Sequence, residues 1–72
     1  MTTKANIRNA TINVLVAAAK DWQRGDIRKL DQECLRYLTA DQTTKFRESI
    51  NYEMDEPALG SCAAAALASP AY

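Results

Sequence analysis

Apolar residues along the chain recur at helical spacing. On a wheel of about 100° per residue, Ile7, Val14, Leu15, Ala18 and Trp22 gather on one side, widened by Ala10, Ile12 and Ala19. Asn6, Asn9, Asn13, Lys20 and Arg24 fall opposite. The pattern predicts a first helix from Thr2 or Thr3, either of which can cap it, to about Arg24. Its apolar arc is wider than the stripe of an ordinary surface helix, so it needs cover from two sides. A strand over Thr11–Val16 is the competing reading, and it fails because the alternation breaks on both flanks.

Gly25 suits the left-handed residue that ends a helix, and Asp26 suits the cap that opens the next. A second helix is expected from about Asp26 to Leu38. Ile27, Leu30, Cys34, Tyr37 and Leu38 form its apolar stripe, and Arg28, Lys29, Gln32, Glu33 and Arg36 face away. Thr39-Ala40-Asp41-Gln42 matches the capping box, in which Thr39 and Gln42 satisfy each other's backbone donors. That box opens a third helix running to about Met54, with Phe46, Ile50 and Met54 on a narrow apolar stripe. Pro57 suits the first position of a last helix from Ala58 to about Ser69. Gly60 weakens its start enough that Ser61 is an alternative cap. The fold class expected is all-α: a small bundle of three helices plus a shorter Ala-rich C-terminal helix, in a single domain over residues 1–72.

Composition agrees with this reading. Two Gly and two Pro in 72 residues leave little material for β-turns, and a chain of 47% hydrophobic and 25% charged residues is that of a folding domain. Charge adds an asymmetry that the net value of zero conceals. Nine bases stand against five acids up to Arg47, a balance of +4. After it come Glu48, Glu53, Asp55 and Glu56 with no base, a balance of −4. Such a chain attracts its own opposite end, a second copy or a patchy partner, and has no general drive towards nucleic acid or anionic membrane. No stretch approaches the roughly 20 apolar residues of a membrane span, and Lys4 and Arg8 lead into a segment interrupted by Asn9, Thr11 and Asn13, unlike a secretory signal. A cytoplasmic location without membrane contact is expected. Cys34 and Cys62 then read as reduced thiols, with one disulfide between them as the alternative.

Candidate chemistry is sparse. Without His there is no Ser–His or Cys–His pair and no closed zinc site, and two isolated glycines do not make a phosphate loop. Asp31/Glu33 and Asp55/Glu56 are too close in sequence to converge on a helix. The expectation is a non-enzymatic chain with no catalytic residues, no cofactor and no metal.

Two binding classes remain. The second and third helices have helix-turn-helix proportions, and Gln42, Thr43, Thr44, Lys45, Arg47 and Asn51 are residue types that read base edges. A DNA-binding regulator using residues 26–54 is therefore the alternative reading. Against it stand the zero net charge and the acids from Glu48 to Glu56. The favoured reading is a small protein-binding module, of adaptor or stoichiometric inhibitor type, acting through a helical surface and expected to form a homodimer. Its partner-binding residues are expected on the polar face of the third helix and the acidic corner after it: Lys45, Arg47, Asn51, Tyr52, Glu53, Asp55 and Glu56.

Overall fold

The computed structural model describes residues 4–69, with side chains from Asn6 onward. It is all-helical: α1 (Lys4–Gln23), α2 (Ile27–Tyr37), α3 (Ala40–Ser49) and α4 (Glu56–Ala68), with no strand among the described residues. The caps expected at Thr2 or Thr3 lie outside the described residues.

The end of α1 is set by Gly25, whose φ of +105° is open to glycine at little cost. The Asp26 N–H donates to the Asp21 carbonyl at 2.9 Å and the Gly25 N–H to that of Trp22 at 3.0 Å, the paired bonds of a Schellman closure. This arrangement corrects the role given to Asp26. It holds the N-cap position of α2, yet its side chain makes no capping bond. One residue both closes α1 and opens α2, and its backbone is set by the first task.

Two helices cover α1. Along α4 the partners of α1 run in reverse order: Arg8 donates to the Ala64 carbonyl, Val16 lies beside Gly60, and Lys20 pairs with Glu56, so the two helices are antiparallel. α2 covers another side, with Lys29 reaching Asp21 at 4.0 Å. The homodimer expected from an over-apolar first helix loses that ground, because α4 supplies the second cover. The buried positions are Leu15, Val16, Ala18 and Ala19 of α1, Leu30 and Cys34 of α2, Phe46 of α3, and Leu59, Ala63 and Ala66 of α4, with Leu38 and Ile50 at helix ends. Small residues on both α1 and α4 let these helices approach closely. Ile7, read as a core position, is 55% exposed although Leu67 of α4 lines a hollow with it, and Ala10 is exposed too.

The second half of the chain departs from expectation in two places. The third helix stops at Ser49, not Met54. Asn51 and Met54 turn their carbonyls to the Gln23 side-chain amide, which donates to them at 2.9 and 3.0 Å. The Asn51 side chain takes the Glu53 N–H at 2.9 Å, a local bond that competes with helix. The fourth helix starts earlier, at Glu56: Asp55 is its cap, accepting from the Ala58 N–H at 3.0 Å, with Pro57 in the first turn. At 13 residues it is longer than α2 or α3, so the expected shorter tail is the second-longest helix.

The early start of α4 puts Gly60 inside the helix, where it costs about 1 kcal/mol relative to Ala. A Cβ there would meet only Val16 Cγ2, at an ordinary 3.9 Å, and φ is not positive. Gly60→Ala should therefore stabilise the fold by about 0.5–1 kcal/mol and raise the melting temperature by a few degrees in thermal circular dichroism. An unchanged or lower midpoint would mean that the α1–α4 contact is tighter than this spacing implies.

Candidate functional site

The capping box at the α2–α3 junction is fully formed. The Gln42 N–H donates to Thr39 Oγ1 and the Thr39 N–H to Gln42 Oε1, both at 3.1 Å. Gln42 is buried, and its side-chain amide also donates to the Ser69 carbonyl at 3.0 Å, so one residue ties the start of α3 to the end of α4. Sequence shows only the cap half of that job.

From this junction α2 and α3 leave an open groove of about 570 Å³ between them. Cys34, Leu35, Leu38 and Thr43 line it, and Asp31 and Arg47 stand on opposite helices at its side. The Arg47 guanidinium donates to Asp31 Oδ1 through Nη1. Both side chains stay nearly half exposed, so this pair marks the rim more than it stabilises the fold. Leu35 is 86% exposed. It also lines a second, adjoining hollow with Arg28, Asp31 and Gln32. A lone exposed leucine means little; this one stands on the edge of an apolar groove.

Cys34 lies in the groove lining with its side chain almost wholly buried. Burial raises its thiol above the ordinary cysteine value. Arg47 pulls the other way, and Asp31 and Glu33 add to the rise. The thiol therefore stays protonated at neutral pH, the form that is a poor nucleophile. Cys62, on α4, contacts the Ser49 carbonyl at 3.6 Å. Both cysteines are free, so the alternative disulfide is not formed.

Only one of the seven expected contact residues stands at this groove, Arg47. Lys45 is exposed two positions earlier on α3, which places it roughly on the opposite side of that helix. Asn51 and Tyr52 are not on α3 at all. They belong to the connection held by Gln23, where Tyr52 stacks on Trp22 with ring centroids 4.3 Å apart and planes 15° apart. Tyr52 nevertheless remains 67% exposed, and Glu53 beside it is exposed. Asp55 is occupied as the α4 cap and Glu56 pairs with Lys20 at 3.5 Å, so the acidic corner is partly neutralised by the chain's own basic half. The expected set divides into a groove residue, Arg47, an isolated Lys45 on another side of α3, and a corner at the C-terminal end of α1.

Leu35 is the residue that sequence reasoning passed over. Its signal was present: it is the single aliphatic residue on the polar side of the α2 wheel, one turn from Asp31 and two from Arg28. Among the described residues no three potential ligands gather to hold a metal ion, and no helix is long and apolar enough to cross a membrane. No protein-family model, curated protein or solved structure matches the chain.

Proposed function

We propose that the chain is a non-enzymatic protein-binding module, of adaptor or stoichiometric inhibitor type, that engages another protein through the α2–α3 groove. Leu35 is its apolar anchor and Arg47 its polar rim. The observation that carries this reading is Leu35, 86% exposed at the edge of a groove lined by Cys34 and Leu38. Covering a leucine is worth about 1.5–3 kcal/mol, enough for a tenfold or larger change in affinity. Two unbridged thiols suit a reducing, cytoplasmic setting.

The DNA-binding alternative draws less support. The α3 face that would meet a groove carries Asp41 and Glu48 beside Thr44, and Arg47 is already engaged by Asp31.

The test is affinity capture from the native cell with the wild-type chain and with Leu35→Gln, read by mass spectrometry. Glutamine keeps helix propensity and removes the anchor, so circular dichroism should be unchanged. A protein held by the wild type and lost by Leu35→Gln is the expected result. Retention of the same proteins by both would remove the groove from the reading.

A further inference from the structure

From the charges around the groove, we infer that its occupant is an acidic amphipathic helix, with one apolar stripe flanked by carboxylates. This rests on the groove being the contact surface.

Three ionised side chains line the groove and its adjoining hollow: Arg28, Asp31 and Arg47. Asp31 is the only carboxylate among them, and it is held by Arg47. Arg47 uses Nη1 for that bond, which leaves the Nη2 side of a half-exposed guanidinium to take a second carboxylate. Arg28 has no ion-pair partner among the described residues. The lining is thus one positive charge in excess, with donors unspent at two places. A basic occupant would meet two arginines and compete with Arg47 for the only carboxylate.

The neighbouring acids do not reverse this balance. Glu33 lies about 160° round α2 from the groove-lining Asp31 and Leu35, and Asp41 and Glu48 sit about 80–120° round α3 from the Ala40–Arg47 side that faces the groove. Arg36, one position from Leu35 and so about 100° round α2 from it, stays out of the balance on the same ground.

Spacing points to a helix. Arg28 and Leu35 are seven residues apart on α2, about 10 Å along the axis. A partner helix that seats an apolar residue against Leu35 and Leu38 can offer one carboxylate to Arg47 within its next turn and another to Arg28 about two turns away.

The experiment uses the full chain and two fluorescein-labelled amphipathic helical peptides with the same leucine stripe, one with Glu flanks and one with Lys flanks, in fluorescence anisotropy. The acidic peptide should bind at least about tenfold tighter than the basic one, with an affinity that falls with salt. Arg28→Glu should weaken the acidic peptide by about fivefold, and Leu35→Gln should weaken it by about tenfold. Equal or tighter binding of the basic peptide, lost on Leu35→Gln, would overturn the acidic occupant while leaving the groove as a contact surface. Binding of neither peptide, or binding indifferent to Leu35→Gln, would overturn both readings.

Discussion

Phe46→Ala should abolish the cooperative thermal transition of the chain. Phe46 is fully buried and heads the largest wholly buried side chains. Truncating such a phenylalanine costs about 3–5 kcal/mol, the lost transfer energy plus the cavity left behind. A single core in a chain of this length supplies about 3–5 kcal/mol in all, so the two figures are of equal size. The site has little capacity to relax. α3 is 10 residues long and mostly polar; Phe46, Ile50 and the Gln42 bonds fasten it to the rest, and the half-exposed Arg47–Asp31 pair and the Cys62 contact to the Ser49 carbonyl add little. Phe46→Leu keeps most of the apolar volume and should retain a transition, lowered by about 1 kcal/mol. Thermal circular dichroism separates the outcomes. If Phe46→Ala melts within a few degrees of the wild type, α3 is not anchored through this ring.

The importance of Phe46 is visible in the sequence, whereas the length of its helix is not. Elements fixed by local chemistry are legible: the Gly25 closure, the Thr39–Gln42 box, and the Leu30–Cys34–Leu38 stripe at intervals of four. What escapes is set by residues far apart in the chain. α3 ends at Ser49 because Gln23 claims the Asn51 and Met54 carbonyls, partners 28 and 31 residues away, and because Tyr52 finds Trp22. No periodicity within residues 40–54 carries that information. Exposure escapes for a related reason. Ile7 and Leu15 share a face of α1, but whether each is covered depends on what α2 and α4 place against it: Leu15 is fully buried, while at Ile7 only a shallow hollow with Leu67 of α4 forms.

The same limit applies to the candidate surface. Arg47 was legible as a polar residue on an open helix face, but its engagement with Asp31 on another helix was not. Leu35 has Leu38 three positions on, but Asp31, Gln32 and Thr39 fill its other helical neighbours, so it forms no stripe of its own. A groove exists only once two helices diverge from a junction. That geometry follows from the Leu38–Thr39 turn and the way Gln42 ties α3 to α4.

Replacing alanine by leucine on α4 should give opposite results at positions two residues apart. Ala63 is fully buried and Ala65 is exposed, although both lie in one Ala run and are alike in propensity and local sequence. Ala63→Leu forces three extra carbon atoms into the packed interior, and overpacking of this kind costs about 1–3 kcal/mol and sometimes more. Ala65→Leu faces water and should change stability by no more than about 0.5 kcal/mol. The same contrast is expected on α1 between buried Ala18 and exposed Ala17. Ala18→Leu combined with Ala63→Leu should leave no more than about half of the molecules folded at room temperature, since even about 1.5–2.5 kcal/mol at each site together matches the stability such a core provides. Ala17→Leu combined with Ala65→Leu should unfold like the wild type. Urea titration followed by circular dichroism measures all four single variants and both pairs. Equal losses at Ala63 and Ala65 would mean that α4 does not present its Ala63–Ala66 side to the interior, and the cover of α1 would then have to come from elsewhere.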